Sequence, residues 1–204
     1  DSFRVDRSTV IKYKGNREGT IKPMQIDDIT EYMVKKYKMQ KCVGLEADDW
    51  CIIEAIRNQN SVVVSHDKDS NGCAVNVWNP TKPDEPMMDC RGFGELYIKT
   101  NAKGQKSVKG RGRKFFYFQV CYGDDVDNYR ANAASELEWG EISAFNALEH
   151  AKNDKEAVQA LVSSFKYLYP TPRAIIGWRG DTIIVDWKYM MQEMWDMAHM
   201  WRNP

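Results

Sequence analysis

The sequence predicts an α/β fold, and three observations carry that prediction. The β-branched run Ser61-Val62-Val63-Val64-Ser65 has the composition of a short strand buried on both faces. Just before it, Ile52, Ile53 and Ile56 recur at helical spacing over 46–58, and helical patterns dominate again beyond residue 135. The chain has 204 residues, of which 43% are hydrophobic and 12% aromatic. That composition suits a folded chain of one large domain, or one domain with a small appendage.

Taken in order, residues 1–22 are basic and irregular, with six basic side chains against three acidic ones. A helix is expected over 26–39, with Ile26, Ile29, Met33 and Tyr37 near one face. Lys41-Cys42-Val43 leads through Gly44 into the helix over 46–58, whose first turn holds two acids where the helix dipole favours negative charge. The valine strand follows. Residues 71–86, rich in Gly, Pro, Asn and Asp, read as loop. Residues 99–114 hold seven basic side chains, three glycines and no acid; they read equally as a phosphate-tracking segment or a solvated hairpin. Phe115 to Val120 forms a strand or a buried helical turn, which periodicity does not separate. Helices are expected over 135–151, 154–169 and 187–201, the last two separated by Pro170 and Pro172. In the last, Trp187, Met190, Met191, Met194, Trp195, Met197 and Trp201 mark a packed helix face.

Twenty-nine basic residues balance 29 acidic ones, which in the sum argues against a nucleic-acid partner. The charges are segregated, however: bases gather in 1–22 and 99–114, acids in short motifs. Nothing approaches about 18 consecutive apolar residues, so no membrane is expected. The five cysteines lie 9, 22, 17 and 31 residues apart with no Cys-x-x-Cys pair, which disfavours zinc and disulfides and points to a reducing, cytoplasmic compartment.

Three acidic motifs stand out. Glu46-Ala47-Asp48-Asp49 opens a helix, Asp67-Lys68-Asp69 follows the valine strand, and Asp124-Asp125-Val126-Asp127 follows the aromatic run. Ligand sites of open α/β sheets lie at the carboxyl ends of strands, so the three motifs are expected to converge on one edge. Carboxylates brought together repel unless a cation neutralises them. Mg²⁺ suits such oxygen ligands, and two ions roughly 3.5–4 Å apart would clamp both oxygens of a phosphodiester displacement. Asp125 is expected to be exposed, and His66 to be a bystander.

These motifs, with Phe3-Arg4 and Tyr13-Lys14-Gly15-Asn16-Arg17, resemble those of the 5′-to-3′ exonuclease and flap endonuclease family across residues 1 to about 150. Trp139-Gly140-Glu141 followed by Ala144 is most similar to the short-tailed phage branch. The resemblance implies a PIN-like (Rossmann-like) sheet flanked by helices over 1–130, and a helical region with a helix-three-turn-helix-like element and a capping helix over 131–204. It implies that the family's first strand and its aspartate precede Asp1, so the chain is expected to be N-terminally truncated.

Carried over by position, Glu46, Asp48 and Asp49 would serve one Mg²⁺ or Mn²⁺ ion and Asp67, Asp69, Asp124 and Asp127 the other, with Asp1 as a further carboxylate. Lys14 and Arg17 would act on the scissile phosphate, and Tyr13, Arg4, Lys109, Arg111 and Arg113 would contact DNA, Tyr13 by stacking on a terminal base. A K⁺ ion is expected at the helix-three-turn-helix-like element. The activity implied is hydrolysis from a 5′ end of duplex DNA, flaps or RNA/DNA hybrids by a monomer, in phage replication or primer removal in the host cytoplasm. The alternatives are a silent nucleic-acid-binding fragment and a PIN-type ribonuclease.

Overall fold

The computed structural model describes residues 2–200; Asp1 and Trp201, both singled out above, lie outside the described residues. The architecture is mixed α/β. After the short helix α1 (Phe3–Arg7) come α2 (Ile26–Tyr37) and α3 (Ala47–Arg57). A three-stranded sheet then forms from β1 (Val63–Val64), β2 (Asn76–Trp78) and β3 (Met88–Asp89). β1 runs parallel to β2, with Val63 opposite Val77, and β3 is antiparallel to β2. The hairpin of β4 (Glu95–Thr100) and β5 (Lys106–Arg111) leads into α4 (Arg113–Tyr122). A tight pair, β6 (Gly123–Asp124) and β7 (Tyr129–Arg130), follows it. The rest of the chain is α5 (Glu141–Leu148), α6 (Asp154–Leu168), a hairpin of β8 (Arg173–Ile176) and β9 (Thr182–Val185), and α7 (Trp187–Ala198). Among the described residues no helix is long and apolar enough to cross a membrane.

The main core is built around α4, every residue of which from Lys114 to Cys121 is buried. The aromatic run is therefore a helix, enclosed by α5, α6 and α7 rather than paired in a sheet. Met190, Met194 and Met197 of α7 fill that core at helical spacing, and Phe116 meets Trp195 edge-on at 4.8 Å between ring centres. Asp186 caps α7 by accepting from the Tyr189 amide at 2.8 Å, and Asn153 caps α6 from the Glu156 amide at 3.0 Å. A second, smaller core joins Ile52 and Ala55 of α3 to Val63, Val75 and Val77.

Several elements depart from the sequence reading. β1 is not buried on both faces: Val63 enters the small core while Val64 is 60% exposed, as the two-residue period of a strand covered on one side requires. The expected face of α2 is largely exposed at Ile26, Ile29 and Tyr37, and that helix stops at Tyr37. The helix expected over 135–151 begins only at Glu141. Ahead of it the Ser135 hydroxyl accepts from the Leu137 amide at 3.2 Å, a local bond that competes with helix, and donates to the Leu168 carbonyl at 2.9 Å across the fold. The other two C-terminal helices end at Leu168 and Ala198. Between them lies a hairpin the reading of Pro170 and Pro172 did not include, although Ile175-Ile176 and Ile183-Ile184-Val185 flanking a glycine turn are strand signals.

Candidate functional site

Four chain segments bring the acidic motifs together. The first is the helical opening at Glu46, which caps α3 in a reciprocal arrangement: its side chain takes the Asp49 amide and its own amide donates to Asp49 Oδ2 at 3.3 Å. The second is the Asp67–Asp69 turn after β1, where Asp67 Oδ1 accepts from the Asp69 amide at 3.0 Å. The third is the β6–β7 turn. Gly123 ends α4 at φ +110°, and a Cβ there would lie 2.2 Å from the Tyr129 carbonyl oxygen, so only glycine lets the chain swing directly from helix into Asp124. Asp124 then takes the Val126 amide at 2.7 Å. The fourth segment is the turn at Tyr13 to Arg17. Lys14 sits in it at φ 54°, a region few non-glycine residues adopt, and its amide donates to the Asp127 carbonyl at 2.9 Å.

Glu46, Asp48, Asp69 and Asp127 line one small cavity together with Tyr13 and Gln119. Burial first, then the charges of Asp67 and Asp124, push the Asp69 carboxyl up to about 7, while Gln119 Nε2 donates to its Oδ1 at 2.6 Å. Burial and the neighbouring Asp49 push Asp48 up as well. The buried Tyr129 phenol is raised by burial and then by the charges of Asp69, Asp124 and Asp127.

Cations answer this negative charge pair by pair. Lys14 Nζ donates to both Glu46 oxygens at 3.0 and 2.8 Å, and Arg17 to Asp127 Oδ1 at 2.8 Å. Lys68 Nζ lies 2.8 Å from Asp124 Oδ2; burial would lower its pKa, but the hydrogen bond and the aspartate charges raise it. Tyr13 donates its hydroxyl to Asp127 Oδ2 at 2.8 Å, and burial followed by the charges of Asp127 and Glu46 keeps it a neutral phenol.

The structure thus gathers Glu46, Asp48, Asp69 and Asp127 on one cavity, with Lys14 and Arg17 held by Glu46 and Asp127, while Asp67 and Asp124 stand next to Asp69 and act on it through their charges. Asp49 is not on the cavity lining, and Arg4, which is on it 3.8 Å from Glu46, is held by Asp49. Their side chains form a two-pronged ion pair at 2.8 and 2.9 Å, with Asp49 0% and Arg4 3% exposed, so Arg4 faces the interior rather than a DNA strand. Tyr13 is only 3% exposed, which leaves its ring no face for the expected stacking on a base. Arg111 pairs with Glu95 at 3.1 Å and Arg113 with Asp154 at 2.8 Å, both on surfaces apart from the cavity. Lys109 lines a separate groove beside His66 and Asp67. Asp125 is exposed and pairs with Arg130 at 2.9 Å.

Lys68, Gln119 and Tyr129 were not singled out from the sequence. A single amide within the aromatic run of α4 was the available signal for Gln119, since a polar group buried there needs a partner.

Four of the side chains lining the cavity are carboxylates, the oxygen chemistry that Mg²⁺ and Mn²⁺ take, and the charges of Asp67 and Asp124 add to burial in raising Asp69. As placed, no three His, Cys, Asp or Glu side chains among the described residues stand together in an arrangement that could hold an ion.

Compared with protein-family models, curated proteins and solved structures, the chain matches none. The functional reading therefore stands on the geometry and on the motif resemblance.

Proposed function

We propose that this chain is a divalent-cation-dependent nuclease that hydrolyses polynucleotides from a 5′ end, with a PIN-like arrangement around β1 and β2 and a helix-three-turn-helix-like element at α5 and α6. The observation that carries this reading is the meeting of four carboxylates from the three sequence motifs, Glu46, Asp48, Asp69 and Asp127, on one cavity, with Lys14 paired to Glu46 and Arg17 to Asp127. The 5′ polarity and the link to phage replication or primer removal rest on the motif resemblance.

Glu46 and Asp48 would hold one Mg²⁺ or Mn²⁺ ion, and Asp67, Asp69, Asp124 and Asp127 the second. Bound there, the ions would lower the pKa of an attacking water and neutralise charge on the phosphate oxygens. Lys14 and Arg17, now spent on Glu46 and Asp127, would be released toward the phosphate and donate hydrogen bonds where negative charge builds up. Gln119 holds Asp69 in place, and Tyr13 does the same for Asp127.

The test is release of nucleotides from 5′-labelled duplex, flap and RNA/DNA hybrid substrates in Mg²⁺. Asp124→Asn and Asp69→Asn are expected to lower turnover by at least a hundredfold while leaving DNA binding intact. Undiminished turnover in excess chelator would refute the proposal. A second reading, a nucleic-acid-binding chain that does not hydrolyse, is favoured by one observation: Glu46, Asp124 and Asp127 are each already neutralised by a lysine or arginine. Binding that ignores chelator, with no cleavage in Mg²⁺ or Mn²⁺, would establish it.

A further inference from the structure

Beside the carboxylate cavity runs a second concavity of about 360 Å³, between the β4–β5 hairpin and the loops that carry Asp67 and Lys82. We infer that this groove binds single-stranded nucleic acid, with Lys99 and Lys109 on its phosphates and Tyr97 against a base. Its direction toward the carboxylates rests on the nuclease reading above; the binding itself does not.

The hairpin register builds the surface. Tyr97 lies directly opposite Lys109, and Lys99 is two residues further along the same strand, so the alternation of a strand puts all three on one face. The opposite face sends Leu96 and Val108 into the core, which holds the hairpin rigid behind the groove. Tyr97 is 51% exposed although aromatic, and Lys99 and Lys109 have no ion-pair partner among the described residues. By contrast the other two lysines of the groove are engaged: Lys82 with Glu85 at 3.0 Å, and Lys68 with Asp124 at 2.8 Å. The acids on the lining are Asp67 and Glu85.

Unpaired ammonium groups flanking an exposed ring form a platform for a flexible polyanion with π-faces, since phosphates take the charges and an unstacked base takes the ring. A duplex keeps its bases stacked within and offers Tyr97 nothing. Asp67 and Lys68 belong to both the groove and the acidic cluster, because the Asp67 charge acts on Asp69 and Lys68 pairs with Asp124. A strand lying in the groove would therefore reach the edge of the acidic cluster at Asp67 and Lys68.

The test is fluorescence anisotropy of labelled oligo(dT) with the full chain in chelator, so that binding is read without cleavage. The paired variant Lys99→Ala/Lys109→Ala is expected to weaken binding at least tenfold and to lower the slope of log affinity against log salt by about 1.4, at about 0.7 per phosphate contact on single strands. Tyr97→Leu, which keeps the bulk, is expected to weaken it about five- to a hundredfold. Lys155→Glu, on the exposed side of α6, serves as the control, and circular dichroism confirms that each variant is folded.

Affinities of both groove variants within twofold of wild type would overturn the inference. So would a loss confined to the lysine pair and equal for duplex and single strand, which would mark a general polyanion surface. Wild-type binding that depends on the groove, without cleavage in Mg²⁺, would uphold the groove and count against the nuclease reading alone.

Discussion

Replacing Arg4 by Met should destabilise the protein more than replacing Arg4 and Asp49 together. The two side chains share a two-pronged contact at 2.8 and 2.9 Å, with the carboxylate wholly buried and the guanidinium nearly so. Arg4 also donates to the Met197 carbonyl at 3.0 Å and the His199 carbonyl at 3.1 Å, tying α1 to the end of α7. Burial alone would lower the Arg4 pKa, but the hydrogen bonds and charge of Asp49 raise it, so the guanidinium stays charged.

At about 4 Å between charges and an effective dielectric of about 20, the attraction is roughly 4 kcal/mol. Removing one partner leaves the other charge buried, at a cost of about 3–5 kcal/mol. Arg4→Met should therefore lose about that much, and the double variant Arg4→Met/Asp49→Leu should recover about 2 kcal/mol or more, because no uncompensated charge remains. For a chain of this size each kcal/mol shifts Tm by about 2–4 °C. Urea denaturation followed by circular dichroism on wild type, both single variants and the double closes the cycle. A loss below about 1 kcal/mol for Arg4→Met, or a double variant no more stable than that single, would refute the reasoning.

Two further outcomes are expected. In the absence of divalent cations, Asp69 binds its proton more tightly folded than unfolded, because its carboxyl is raised from 3.8 to about 7. Its favourable contribution is whole below about pH 4 and is lost as pH rises through about 7, a difference of at most about 4 kcal/mol at about 1.4 kcal/mol per pH unit. Thermal melts in chelator from pH 4 to 8 should show that loss and Asp69→Asn should flatten it; identical profiles would count against the crowding of charge. Gly123→Ala should cost at least about 1–3 kcal/mol for the backbone conformation alone, with a further penalty for the 2.2 Å approach to Tyr129, and should move the Asp124 turn. Unchanged denaturation would mean that the swing from α4 into β6 does not need glycine.

Much of the candidate site was legible because its parts are local. The order of the acidic motifs, their placement at a helix start, after a valine strand and after an aromatic run, and the basic stretch at 99–114 all follow from neighbours in sequence. The two helices beyond residue 150 were equally plain, since Pro170 and the methionine spacing act within a turn or two. The nature of Phe115 to Val120 was not legible: a short, largely aromatic run satisfies strand and buried helix alike, and only enclosure by α5, α6 and α7 decides for helix.

Which charged groups meet was decided elsewhere. Arg4 and Asp49 are 45 positions apart, Tyr13 and Asp127 are 114 apart, and spacing along the chain carries no record of either pairing. Residue types and local patterns set the chemistry at hand: carboxylates in three motifs, lysines and arginines in two stretches, apolar faces to pack. Burial then sorted identical side chains into different duties, pairing Asp49 with Arg4 in the interior while leaving Asp67 exposed and Asp69 raised in its cavity. A charge removed from water must be matched by whatever the fold brings within about 3 Å, and that neighbour belongs to the three-dimensional arrangement, not to the sequence beside it.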